Sequence, residues 1–159
     1  MSDLVLVLGN KNLSSWSLRP WLLLRHAGLP FEERVFLFEE PDWRTRIAAL
    51  SPSRRVPALR HRTASGEELV ICESLAICEY VAELFPAAGL WPDDRSARAV
   101  ARSVSAEMHS GFGHLRKDLS MDVVARVPPR LRSRETEADI ARVQTIWEDC
   151  RARFGGRGP

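Results

Sequence analysis

The stretch Leu69-Val70-Ile71-Cys72-Glu73-Ser74-Leu75-Ala76-Ile77-Cys78-Glu79-Tyr80 changes its period in the middle. Leu69 to Cys72 is a short apolar run with strand character. From Ser74 the apolar residues fall at 75, 77, 78, 81, 82, 84 and 85, the spacing of one helix face, and Pro86 closes it. A strand therefore passes into a helix through Glu73-Ser74. That places a carboxylate and a hydroxyl where backbone N–H groups are unpaired and the helix field is positive.

Working backward, Thr63-Ala64-Ser65-Gly66 reads as a hairpin loop joining Leu69–Cys72 to an earlier strand, Val56 to Arg60. Asp42 to Leu50 reads as a short helix stopped by Ser51-Pro52, and Glu33 to Phe38 as another strand. Residues 18–27 form a helix in this reading, with Ser17 as N-cap, Pro20 in the first turn and Gly28 past the end. Leu4-Val5-Leu6-Val7-Leu8 is a continuous apolar run, the pattern of a strand buried on both faces. The order over residues 1–85 is βαβαββα. It predicts an α/β domain with a mixed four-stranded sheet and helices on its faces.

Residues 86–92, Pro-Ala-Ala-Gly-Leu-Trp-Pro, read as a linker, and strand signals stop there. The remainder, 93–159, reads as all-α. Asp93 to Lys117 repeats apolar residues at 97, 100, 101, 104, 108, 112 and 115, one long amphipathic helix capped near Asp93 or Asp94. A basic, Pro-rich connection covers Arg126 to Arg134, and Glu135 to Phe154 makes a second long helix. Two such helices leave apolar stripes without partners, and the sequence stops at a Gly-Pro loop signal. The expectation is an incomplete helical domain with exposed apolar surface.

Composition narrows the function. Of 159 residues, 45% are apolar and 28% charged, with net charge +2 and signs mixed along the chain, which points away from a dedicated nucleic-acid binder. No apolar run approaches the ~20 residues of a membrane-spanning helix. The acidic start Met1-Ser2-Asp3 lacks a signal-peptide n-region. Cys72, Cys78 and Cys150 form an odd set without a CxxC, so neither a disulfide framework nor a zinc cluster is expected. The expected location is cytoplasmic, and no metal is expected.

Four features carry chemistry. Ser14 and Ser15 precede the first helix, where a hydroxyl can donate to an anion or can simply cap the helix. Val56-Pro57 opens a predicted strand, a place where proline is tolerated; the usual preference of such bonds is trans. Glu73 and Ser74 suit the ammonium and carboxylate of an amino-acid head, or merely a cap with a dipole-matched acid. Arg54 and Arg55 can pair with a ligand carboxylate or stand solvated in a loop.

Taken together and in this order, the chain resembles the glutathione transferase superfamily. The resemblance rests on Ser14-Ser15-Trp16-Ser17-Leu18-Arg19, Arg55-Val56-Pro57-Ala58-Leu59 and Glu73 through Tyr80. It implies a thioredoxin-like glutathione-binding domain over 1–85 and, over 93–154, the first two helices of the all-helical second domain, cut short in that domain. It implies Ser14, with Ser15 beside it, as donor to the glutathione sulfur, and Val56 as backbone partner of the cysteinyl part before a cis Pro57. Arg55 would lie near the glycyl end, with Glu73 and Ser74 on the γ-glutamyl head. The serine stretch is most similar to the zeta, maleylacetoacetate isomerase-like branch, although Trp16 replaces that branch's cysteine.

The implied activity is conjugation of a glutathione thiolate to small electrophiles. The alternatives are a zeta-like isomerase using glutathione as cofactor, or a non-catalytic thioredoxin-fold module. The family implies a homodimer for the full-length form, with no nucleic acid or membrane partner. The position-109 histidine could face an electrophile pocket or lie on a helix surface.

Overall fold

The computed structural model describes residues 3–128 and 130–155. Met1, Ser2, Pro129 of the Pro-rich connection and residues 156–159 of the terminal Gly-Pro stretch lie outside them. The chain divides into two compact units, Met1–Leu90 and Trp91–Pro159.

The first unit runs β1 (Leu4–Gly9), α1 (Ser15–His26), β2 (Glu32–Phe36), α2 (Trp43–Ala48), β3 (Ala58–Arg62), β4 (Glu68–Cys72) and α3 (Ser74–Leu84), followed by a 3₁₀ turn at Pro86–Ala88. The sheet order is β2-β1-β3-β4, with β1 parallel to β2 and the other two pairs antiparallel. This is the mixed four-stranded sheet expected from the element order, and the thioredoxin-like arrangement that the resemblance implied.

The pleat explains the unbroken apolar run of β1. Successive residues face opposite sides. Leu4, Leu6 and Leu8 enter one core with Leu24 of α1, Leu59 of β3, and Ile77 and Val81 of α3. Val7 points to the other side, with Phe36, Ile47 of α2 and Ala58. At ~1.5–3 kcal/mol for each fully buried large side chain, these two cores hold the sheet between its helices.

Several boundaries differ from expectation, each for a local reason. The first helix begins at Ser15, not at residue 18, and its cap is Ser14, not Ser17. The Ser14 side chain accepts from the Ser17 amide. Pro20 therefore lies inside the helix, where its missing N–H forfeits one backbone bond; the ring is fully buried, which offsets that loss. The second strand ends at Phe36 and β3 begins at Ala58; the Val56–Pro57 peptide preceding it is cis, not the usual trans.

In the second unit the expected single helix over 93–117 is two helices, α4 (Arg95–Ser110) and α5 (Gly113–Asp118). The chain breaks at Gly111-Phe112, where Phe112 takes a left-handed φ of 62° and is buried. A Cβ on Gly111 would come within 2.9 Å of the Glu107 carbonyl oxygen. The Arg116 guanidinium reaches back to donate to the carbonyls of Met108 and Gly111 at the end of that helix. With α6 (Arg134–Phe154) the described residues of this unit form three helices where two were expected. Asp94 and Ser133 cap α4 and α6 through the amides of Ala97 and Thr136. Phe112, Val143 and Ile146 form its small core. An apolar groove of about 510 Å³ remains open along Val100, Val104, Cys150 and Phe154. No helix among the described residues is long and apolar enough to cross a membrane.

Candidate functional site

The first unit carries a cleft of about 170 Å³ lined by Trp16, Ser53, Arg55, Val56, Pro57, Glu73 and Ser74. Three chain segments meet there: the first turn of α1, the loop before β3 and the β4–α3 junction.

The β4–α3 junction is shaped by an unusual backbone. Glu73 adopts φ 72°, ψ 127° at the N-cap position of α3, and its side chain makes no capping bond. A side-chain-bearing residue held at positive φ costs of order 1–3 kcal/mol, and such strain clusters at ligand sites. Directly after it, Ser74 is 1% exposed, and its Oγ is buried without a hydrogen-bond partner. An unmet buried hydroxyl costs ~1–3 kcal/mol, so its presence on a cleft wall calls for a polar ligand atom. The eleven-residue α3 adds unpaired amides and a positive end to the same spot.

The loop before β3 repeats this device. Arg54 takes a positive φ of 56°, and its neighbours Ser53 and Arg55 both line the cleft. Ser53 is anchored from below: its hydroxyl lies 3.0 Å from that of buried Ser51, and the Ser51 hydroxyl lies 3.6 Å from Cys72 Sγ. Burial pushes the Cys72 thiol up, but hydrogen bonds from the Ser53 side chain, the Ser51 side chain and the Ser53 backbone outweigh it. The net shift is downward. Cys78, more deeply buried on α3, is pushed up to about 11 by desolvation.

At the start of α1 the two serines differ. Ser14 is buried, its hydroxyl donates to Ser17 Oγ at 2.9 Å, and Ser17 Oγ also accepts from the Gly9 amide at 3.0 Å. This ties the end of β1 to the first turn of α1. A Cβ on Gly9 would lie 3.0 Å from Ser14 Cβ and far closer to Phe38, so glycine is what lets β1 end there. Ser15 is half-buried, and its hydroxyl has no partner among the described residues.

Of the residues singled out in the sequence, Arg55, Val56, Pro57, Glu73 and Ser74 come together on one cleft. Ser14 and Ser15 stand beside it without lining it; Trp16, the next residue, does line it. Trp16 and Ser53 are cleft residues that sequence reasoning left out of the site. No local signal marks Ser53; the turn that carries it, with Arg54 at φ 56°, brings it to the cleft. His109 lies on α4 in the second unit. Among the described residues no cluster of three or more His, Cys, Asp or Glu is placed to hold a metal ion.

Comparison with known proteins agrees with this geometry. Residues 13–84 match the family model described as "Glutathione S-transferase, N-terminal domain". The chain is 34% identical over 98 residues to a probable maleylacetoacetate isomerase of Caenorhabditis elegans, covering 62% of this chain and 42% of that protein. It is 40% identical over 93 residues to Protein LigF of Sphingobium sp. (strain NBRC 103272 / SYK-6), covering 54% of this chain and 33% of that one. Among solved structures, a glutathione transferase homolog from Burkholderia GL BGR1 with bound glutathione superposes with TM-score 0.59 at 30% identity, over 74% of this chain and 62% of that chain. The chain thus spans less than half the length of these two curated relatives. With the sheet order, the cleft and the match over 13–84 in agreement, the first unit carries a glutathione S-transferase N-terminal domain.

Proposed function

We propose that the first unit binds glutathione and holds its sulfur as a thiolate for attack on a small electrophile. The observation that carries this is the unmet Ser74 hydroxyl beside Glu73 on the cleft wall. The γ-glutamyl carboxylate accepts from Ser74 Oγ and from amides at the start of α3, and Glu73 pairs with the γ-glutamyl ammonium. The Val56 backbone pairs with the cysteinyl peptide, and Arg55 with the glycyl carboxylate. This binding leads the thiol to the start of α1, where Ser14 and Ser15 stand.

A free thiol has a pKa of ~8.5, so lowering it by two units takes ~2.7 kcal/mol of preference for the anion. One hydroxyl bond to a charged acceptor supplies ~1.5–3 kcal/mol, and the helix start adds ~0.3–1 kcal/mol. Within the serine pair, the Ser15 hydroxyl is the one not already spent on the protein; the Ser14 proton is committed to Ser17. Ser15 is therefore the donor in this mechanism, and Ser14 fixes the turn that presents it.

Calorimetric titration with glutathione, followed by a conjugation assay on an activated aryl halide, tests the proposal. Binding that weakens about tenfold or more in Ser74→Ala supports it, and absence of glutathione binding ends it. The similarity to a probable maleylacetoacetate isomerase favours one second reading, a glutathione-dependent cis–trans isomerase. Turnover of a maleyl diketo acid, with no conjugation of aryl halides, would select it. In either case the protein is proposed to act as a homodimer.

A further inference from the structure

Trp16 is a large aromatic residue that the cores do not use. The three hydrophobic clusters include Trp21 and Trp43 but not Trp16, which is only half-buried and stands in the cleft. One turn along α1, the Arg19 guanidinium sits over its ring, 4.4 Å from the centroid. A cation held over the ring pins the indole in place and occupies one face. The indole that lines the cleft is then a fixed aromatic wall, one residue from Ser15. With Val56 and Pro57 it supplies the apolar part of a lining that is otherwise polar.

We propose that Trp16 is a specificity-determining residue that selects an aromatic group carried on, or reacting with, the glutathione sulfur. This inference rests on the glutathione reading above. An arene in an offset stack or edge contact with an indole gains affinity beyond the area it buries. A saturated ring of the same size buries as much apolar area but has no such gain. Area alone would thus give the arene no advantage, and a preference for the arene isolates the stacking.

The experiment compares three ligands by calorimetry: glutathione, S-benzylglutathione and S-(cyclohexylmethyl)glutathione. The wild-type protein is expected to bind the benzyl conjugate about threefold to tenfold more tightly than the cyclohexylmethyl one. That ratio is expected to persist in Trp16→Phe, and to fall to one or below in Trp16→Leu, which keeps apolar bulk without a π face. Equal affinities of the two conjugates in a wild-type protein that binds glutathione overturn this inference alone, as does a preference that survives Trp16→Leu. Failure of all three ligands to bind overturns the glutathione reading and this inference with it. Equal affinities in the wild type overturn the inference even where a variant fails to fold.

Discussion

The Ser14 hydroxyl donates to Ser17 Oγ at 2.9 Å while its own oxygen accepts from the Ser17 amide at 3.3 Å. A single side chain thus closes the first turn of α1 and uses up its only proton in doing so. The two adjacent serines consequently have separable roles. Ser14→Ala removes an N-cap and is expected to destabilise the protein by about 1 kcal/mol. Ser15→Ala is expected to leave stability within about 0.5 kcal/mol and to raise the pKa of bound glutathione by one unit or more. Urea melts and the thiolate absorbance of the complex, titrated between pH 5 and 10, measure the two effects. A Ser15→Ala complex that titrates like wild type would return the sulfur contact to Ser14.

Glu73 is held at φ 72° where glycine would be at ease. Replacing it by glycine relieves the backbone but also frees the unfolded chain, so Glu73→Gly is expected to melt no lower than Glu73→Ala. Both variants are expected to lose glutathione affinity to a similar degree, because both lack the carboxylate. A Glu73→Gly protein that melts well below Glu73→Ala would show that no strain resides at this junction.

Glu33 links β2 to α1. It receives a hydrogen bond from Trp21 Nε1 at 2.9 Å and forms ion pairs with Lys11 and Arg25. Burial raises its pKa, but hydrogen bonds from Lys11, Trp21 and Arg25 outweigh that and hold it at about 2. Because the folded pKa lies below the ordinary 4.5, this stabilisation is complete above pH 4.5 and is lost as pH falls toward 2. In Glu33→Gln the acid limb of a stability–pH profile is expected to be shallower over that window. An unchanged limb would mean that other carboxylates control acid unfolding.

The two thiols of the β4–α3 region are expected to react in a fixed order. Cys72 is shifted downward by its serine partners, and Cys78 is raised to about 11. At pH 8 iodoacetamide should label Cys72 well before Cys78, since the thiolate is the nucleophile. Ser53→Ala should slow the labelling of Cys72. Peptide mass mapping over a time course reads both effects, and equal labelling rates would refute the assignment.

Periodicity and punctuation alone were enough to place every strand and helix of the first unit. The apolar run Leu4–Leu8, the alternation about the hairpin and the shift of period at Glu73-Ser74 are local signals, and local signals survive in a linear reading. Arg55, Val56, Pro57, Glu73 and Ser74, which share one cleft, stood out in the sequence because each sits next to a strand–helix or loop–strand junction, and the roles given to them came from the family resemblance. Tertiary structure decided the rest. Nothing local marks Ser14 rather than Ser17 as the cap; that choice depends on the Gly9 amide reaching Ser17 from the end of β1. The break at Gly111-Phe112 leaves the helical spacing of apolar residues intact, so it shows only once Phe112 is buried beside Val143 and Ile146. The places of Trp16 and Ser53 on the cleft likewise follow from three distant segments converging on it. A pattern along the chain records which face of an element is apolar. Which atoms then lie within hydrogen-bonding or stacking distance is set by how those elements pack.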